Sequence, residues 1–168
     1  MTSRIRMRKY LWNFTFGVED SLVSTVGLAS GIAVAGMETK SILLTGMVLI
    51  FVEALSMGVG SFLTDQSVSE YDSHKEVPAK NSIPGAVVMF LSYYFAGLIP
   101  LVPYILLGSD NGFWVSIIIT LCSLFVLGFI NGSYSKVHPI KEGLKMACFG
   151  GMAILGGVLI GQLFGELK

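Results

Sequence analysis

The sequence predicts an all-α integral membrane protein that crosses the bilayer five times, and three observations carry this prediction. The 168 residues are 53% hydrophobic and 13% charged, and their mean hydropathy of +0.73 is too high for a water-soluble domain. Five apolar runs are each long enough for a membrane helix, which needs about 20 residues. The charges cluster at the N-terminus and in short connections, so nucleic acid is not an expected partner.

The five predicted spans follow one another without a separate soluble domain. A short turn at 36–40 separates the first two spans, and a polar connection at 65–81 separates the second from the third. Pro100 and Pro103 interrupt the third span, which a membrane helix tolerates when neighbouring groups satisfy the freed carbonyls. The segment SDNG at 109–112 is typical of a turn. The spans are residues 10–36, 41–64, 83–107, 113–130 and 143–165 of a single domain, 1–168.

A secretory signal peptide is an alternative interpretation of the first apolar run. A basic start precedes the run, and Ala33-Val34-Ala35 resembles a cleavage site. Glu19 and Asp20 argue against this interpretation because they interrupt the run, which is also long for a signal peptide.

The distribution of Lys and Arg predicts the orientation of the five spans. Nine fall on one side and two on the other. The nine are Arg4, Arg6, Arg8, Lys9, Lys75, Lys80, Lys136, Lys141 and Lys145, and the two are Lys40 and Lys168. This excess predicts a cytoplasmic N-terminus, in the plasma membrane of a prokaryote or in a vacuolar or other internal membrane of a eukaryote.

Two acids lie inside spans that are otherwise apolar. Asp20 is in the first span and Glu53 in the second, with Met57 one helical turn beyond Glu53. An ionised carboxylate at the bilayer centre costs roughly 2.5–3.5 kcal/mol, and such acids usually mark an ion or proton pathway. At about 1.5 Å of rise per residue, Asp20 lies ~15 Å and Glu53 ~18 Å from the start of their spans. In antiparallel helices they are expected at similar depth.

Each acid shares a helix face with small or polar residues. Such residues let helix backbones approach closely in lipid, so the two faces are suited to meet each other, or symmetry copies of each other, across a narrow polar path. The faces, at spacings i, i+4, i+7 and i+11, are Asp20, Ser24, Gly27, Gly31 and Glu53, Met57, Gly60, Thr64. Two four-residue repeats indicate helix contacts within or between protomers: Gly27, Gly31, Ala35 and Gly157, Gly161, Gly165.

Carboxylate oxygens together with a thioether suit a borderline divalent transition metal. Burial favours the protonated form of a carboxyl group, so the same acids can hold protons when no metal is bound. The residues therefore predict a metal and proton pathway through Asp20, Glu53 and Met57. The alternative is a small membrane scaffold or assembly subunit that transports nothing, in which Asp20 bonds to Ser24 and Met57 is ordinary packing.

Secondary candidates flank these three residues. Glu19 points about 100° away from Asp20 around the helix, and the charged connection after the second span can collect cations, although such runs are usually only solvated. The secondary candidates are Glu19, Ser24, Glu70, Asp72, His74 and Glu76. Because no nucleophile–base set, phosphate loop or cofactor motif is present, neither an enzyme nor a permanently bound cofactor is expected.

Four segments in order resemble the vacuolar iron transporter family, the group that also includes yeast vacuolar manganese/iron importers and plant nodulin-like transporters. They are GVEDSLVSTVGLASGIAVAG, EALSMGVGSFLT, FAGLIPLVPYIL and LGFINGSYSKVHPIKEGLKMACFGGMAILGGVLIGQLFG. The resemblance implies a homodimer of five-span protomers that exports Fe²⁺ or Mn²⁺ from the cytoplasm in exchange for protons, along a path at the dimer interface. It assigns Asp20 and Met57 to the pathway aspartate and methionine, and Glu53 is similar in kind to a pathway glutamate.

The sequence departs from the family pattern between the second and third spans. Iron-transporting members often insert a long, glutamate-rich cytoplasmic metal-binding domain there, whereas only residues 65–81 connect the two spans here. In this respect the chain is similar to the shorter, nodulin-like branch.

Overall fold

The structure is a computed structural model that describes the backbone of residues 3–166 and the side chains of residues 7–166. This part of the chain is helical and contains no strand. Its helices are α1 (Ser3–Val34), α2 (Thr39–Ser73), α3 (Ile83–Tyr134) and α4 (Pro139–Gly165), with a 3₁₀ turn at Ala79–Asn81. The side chains of Arg4 and Arg6, and Lys168, which contribute to the predicted orientation, lie outside the described residues.

Helix α3 is two helical segments that fold back on each other at Gly108. This glycine has φ 76° and ψ −171°, a conformation that is open to glycine because it lacks a Cβ. The Ser116 hydroxyl donates a hydrogen bond to the Pro100 carbonyl at 2.7 Å, although a straight helix would separate residues this far apart by about 24 Å. Residues 83–107 and 109–134 therefore run antiparallel. The reversal precedes the predicted SDNG turn, which is helical in the structure.

Helix α2 continues beyond the predicted end of the second span. The polar residues from Asp65 to Ser73, expected in a connection, remain helical, and the helix ends where His74 takes a left-handed conformation with φ 49°. Its 35 residues correspond to about 50 Å, longer than the roughly 30 Å of a bilayer's hydrocarbon core. Asp65 is therefore held rigidly in line with the acid and methionine farther up the same helix.

Helix α1 packs against α2, α3 and α4, and α3 likewise packs against each of the other three helices. Polar residues such as Asn13, Ser21 and Thr25 are buried on it, while large apolar side chains such as Phe51 and Leu159 are exposed on the outside. Helices α2, α3 and α4 each contain a stretch that is long and apolar enough to cross a membrane. Polar groups inside and apolar groups outside indicate a multi-pass membrane protein.

The contact between α1 and α4 is made by glycines. A Cβ placed on Gly31 would lie 2.6 Å from the Gly157 carbonyl oxygen, and one on Gly157 would overlap the carbonyl of Gly27. Gly161 packs in the same way against Gly31. The two small-residue repeats of the sequence therefore meet within one chain, and they bring the two backbones into direct contact.

Candidate functional site

The acids Asp20 of α1 and Glu53 of α2 lie close enough to interact electrostatically. Both side chains are partly buried, and each belongs to the middle of a long helix. Two ionised carboxylates within electrostatic range of each other inside a membrane repel, and a proton or a cation reduces that repulsion. The chemistry of the pair therefore suits it to hold a positive charge.

Tyr93 of α3 completes the surroundings of the acid pair. Its hydroxyl hydrogen-bonds with the Ser24 hydroxyl at 2.8 Å and interacts electrostatically with both Asp20 and Glu53. Its backbone carbonyl accepts a hydrogen bond of 2.6 Å from the Ser21 hydroxyl. Tyr93 is fully buried, so it fixes the Ser24 hydroxyl beside the acids. Sequence reasoning missed Tyr93 because a tyrosine in an apolar span carries no distinguishing signal.

The antiparallel helices α1 and α2 carry facing residues at successive turns, and we call this series the α1–α2 ladder. Its outermost level is an ion pair, and its second is a hydrogen bond of 3.0 Å from an asparagine Nδ2 to a serine hydroxyl. At the third level both residues line one cavity, and at the fourth are the two acids. The levels are Lys9 with Asp65, Asn13 with Ser61, Phe16 with Met57, and Asp20 with Glu53.

Two open spaces flank the acid pair. The first, which we call the α1–α2 cavity, has a volume of about 370 Å³ and is lined by Met57, Ser61 and Asp65 among others. The second, the α1–α4 groove, has a volume of about 580 Å³ and is lined by Asp20, by Ser24 and otherwise mainly by apolar and small residues. The acid pair lies between them, because Asp20 opens onto the groove and Glu53 is one turn from Met57.

Among the secondary candidates, Ser24 and Glu19 lie near the acid pair. Ser24 bonds to Tyr93, and Glu19 interacts electrostatically with Asp20 and with Lys145 of α4. Glu19 therefore lies on the α4 side of α1, away from the ladder.

The remaining secondary candidates lie at the far end of α2 and just beyond it. Glu70 accepts hydrogen bonds from Gln66 at 3.1 Å and from the Val77 backbone at 3.4 Å, so it fixes the local turn. Asp72, His74 and Glu76 are exposed. Within the described residues, no group of three or more His, Cys, Asp and Glu side chains is close enough to hold a metal ion together. The structure therefore does not gather these connection residues into one metal site.

The fold and the site define a multi-pass membrane protein with a polar, acid-containing ladder between its first two helices. The chain belongs to the VIT family, because the sequence model of that family matches residues 11–79 and 68–162.

The chain is also similar to curated proteins that are named vacuolar iron transporters. Vacuolar iron transporter 1 of Oryza sativa subsp. japonica is 23% identical over 82% of this chain and 78% of that protein. Vacuolar iron transporter 1 of Arabidopsis thaliana is 21% identical over 82% and 79%. A vacuolar iron transporter of Plasmodium berghei is 31% identical over 65% of this chain and 38% of that protein.

The plant relatives contain residues that this chain lacks. Each of the two plant alignments is 197 residues long, whereas the whole chain has 168 residues. The two family matches overlap at residues 68–79, where α2 ends and the chain turns toward α3. The short connection between the second and third predicted spans falls at this overlap.

Proposed function

We propose that this protein exports a divalent transition metal, Fe²⁺ and/or Mn²⁺, from the cytoplasm in exchange for protons. The observation that carries the proposal is the pairing of Asp20 with Glu53 between two helices of a bundle whose outer surface is apolar. The names of these three relatives, all vacuolar iron transporters, support a metal as the substrate.

The exchange follows from the charge of the acid pair. Two carboxylates neutralise one divalent cation, and carboxyl groups that bind a metal must give up any protons they hold. Metal entry therefore releases protons, and metal release allows protons to return. The Met57 thioether, one turn from Glu53, supplies a soft ligand or a gate on the side of the α1–α2 cavity, and a soft ligand favours Fe²⁺ over Mg²⁺ or Ca²⁺.

The working unit in this proposal is a homodimer of five-span protomers with the path at the dimer interface. Asp20 lines a groove that is open toward the outside of the bundle, and a second copy seated there would close the groove and bring further ligands to the metal. Five spans are supported by the fold-back of α3, because each of its two segments is long enough for a bilayer crossing.

Cysteine labelling tests the orientation, with the N-terminus and the longer connections in the cytoplasm. Cys122 and Cys148 are exposed and are first replaced by serine. A Ser135→Cys variant is then expected to react with a membrane-impermeant maleimide only after the cytoplasmic side is opened. Labelling of Ser135→Cys in intact cells would contradict the orientation.

Metal flux tests the function. Purified protein in proteoliposomes, with an imposed pH gradient, should take up Fe²⁺ or Mn²⁺, and Asp20→Ala should remove the gradient-dependent uptake. The matched control is Asp110→Ala, because Asp110 is exposed at the α3 reversal and lies outside the ladder. Light scattering during chromatography checks that each variant is a folded dimer.

The outcomes separate transport from a structural role of the acids. Uptake that is lost in Asp20→Ala and kept in Asp110→Ala supports the exchanger. A folded dimer without uptake of either metal would favour the non-transporting scaffold, in which Asp20 and Glu53 only hold helices together.

A further inference from the structure

The outermost level of the ladder is an ion pair between the Lys9 ammonium and the Asp65 carboxylate. Only 17% and 16% of the two side chains are exposed. The Lys9 side chain lies across α3, because a Cβ placed on Gly85 would be 2.7 Å from the Lys9 Cε and 3.3 Å from its Nζ. The ammonium is therefore held where three helices meet, at the end of the bundle where α1 begins.

The α1–α2 cavity beside this pair is mainly apolar, with Trp12, Phe16 and Val68 in its lining, but it also contains oxygen and sulfur atoms. Asp65 lines the α1–α2 cavity together with the hydroxyl residues Ser61 and Thr64 and the thioether residues Met57 and Met89. These are the ligand types that a borderline divalent cation accepts. A space of about 370 Å³ is large enough for a cation that keeps part of its hydration shell.

The cavity leads from Asp65 toward the acid pair. On α2, Asp65, Ser61, Met57 and Glu53 follow one another at four-residue intervals, so each is one turn, or about 6 Å, from the next. The Asn13 amide donates to both the Ser61 hydroxyl and the Gly85 carbonyl, at 3.0 Å and 2.9 Å. These two bonds hold Asn13 in place at the second level of the ladder. A cation at Asp65 would therefore lie on the same line as Met57 and Glu53.

A simple structural explanation is that Lys9 only neutralises an acid that α2 carries near the membrane, since charged groups there usually pair. That explanation accounts for the ion pair but not for the cavity beside it. Lysine has a flexible four-carbon chain and a compact charge, so its ammonium can leave the carboxylate while α1 stays in place.

We propose that Asp65 is a second cation-binding residue, one stage before Met57 and the acid pair, and that the Lys9 ammonium occupies this position as a tethered, displaceable cation. The part that Asp65 would play in transport rests on the proposed function, whereas the binding of a cation at Asp65 does not depend on it. A divalent ion binds at Asp65 when Lys9 swings away, and Lys9 returns when the ion moves on. Lys9 thus closes the cavity to monovalent cations and to weakly held divalent ones.

Mn²⁺ binding to the purified protein in detergent tests this inference without requiring transport. Free Mn²⁺ is measured by electron paramagnetic resonance while metal is added to wild type and to Lys9→Gln. Removal of a close charge partner is expected to tighten binding at Asp65 about tenfold or more, the scale of one close charge pair. Lys9→Arg, which keeps the charge, should bind like wild type, and so should Lys40→Gln, an exposed lysine outside the ladder.

A double variant locates the added binding. In Lys9→Gln with Asp65→Asn, the gain should disappear. Equal Mn²⁺ binding by Lys9→Gln and Lys9→Arg, or a gain that persists in the double variant, would overturn the inference. If Lys9→Gln does not fold, Lys9→Leu replaces it, and if neither folds, the ammonium is indispensable to the fold and is not displaceable.

Two results separate the cation position at Asp65 from the proposed metal and proton exchange. If Asp65-dependent Mn²⁺ binding appears in Lys9→Gln although wild type transports nothing, the cation position stands and the exchanger does not. If Asp20-dependent uptake is present but Lys9→Gln leaves Mn²⁺ binding unchanged, the exchanger stands and the cation position at Asp65 is wrong.

Discussion

The two contacts that α1 makes on its opposite sides differ in kind. Toward α4, glycines bring the two backbones together, and Gly157 and Gly161 leave no room for a side chain. Toward α2, polar side chains meet in the ladder and a cavity of about 370 Å³ remains between them. In a bilayer, a close glycine contact gains packing energy, whereas a cavity gives that energy up. The difference indicates that direct backbone contact makes α1 and α4 a rigid frame beside the α1–α4 groove, whereas α1 and α2 meet through side chains beside the α1–α2 cavity.

The largest expected effect comes from filling the glycine contact. A Gly157→Val variant places methyl groups where the Gly27 carbonyl lies, and because a helix backbone cannot move aside, we expect a loss of about 3 kcal/mol or more. The loss is measured as a lower midpoint in thermal unfolding followed by chromatography. Gly156→Val is the matched control, because a Cβ at Gly156 has no atom within 4 Å. Equal midpoints for the two variants would show that α1 and α4 do not form a rigid frame.

A smaller effect on stability is expected in the ladder. Asn13 is buried and donates two hydrogen bonds, to Ser61 and to the Gly85 carbonyl, so Asn13→Ala should cost about 1–3 kcal/mol. The same unfolding measurement checks it, with Asn111→Ala, an exposed asparagine in α3, as the control. If Asn13→Ala unfolds at the same temperature as Asn111→Ala, the second level of the ladder contributes nothing to the fold.

The smallest expected change in stability is at Tyr93, where function should change more than folding. Tyr93→Phe removes only the hydroxyl that bonds to Ser24, at a cost of about 1 kcal/mol, but it frees the Ser24 hydroxyl beside the acids. We expect several-fold weaker Mn²⁺ binding from the variant, compared with Tyr94→Phe as the control. Unchanged Mn²⁺ affinity would mean that Tyr93 contributes to packing and not to the site.

The sequence was sufficient to predict a membrane protein and to expect the two acids at similar depth. Helical rise along two antiparallel spans was enough to expect Asp20 and Glu53 at similar depth, and the structure has them within electrostatic range. The prolines and Gly108 likewise fall near the predicted end of the third span, although the exact site of the reversal depends on one glycine with a positive φ.

Other features depend on which surfaces meet, and periodicity along one helix does not carry that information. The glycine repeats predicted a close contact, but not that Gly27 and Gly31 pack against α4 of the same chain. Because the hydropathy predicts that the second span ends before Asp65, Asp65 was expected in a connection. Its ion pair with Lys9 was therefore not predicted. Asn13 lies seven residues before Asp20 on a similar face, and a search of that face for polar residues would have found it.

The central claim is that Asp20 and Glu53 act as one site between α1 and α2. A double-mutant cycle on Mn²⁺ affinity tests it directly, with Asp20→Asn, Glu53→Gln and the double variant in the same detergent. If the acids share one cation, each single variant removes most of the binding at that site, and the double variant is little worse than either one. Losses that simply add up in the double variant would mean that the two acids act independently, and this would contradict the account.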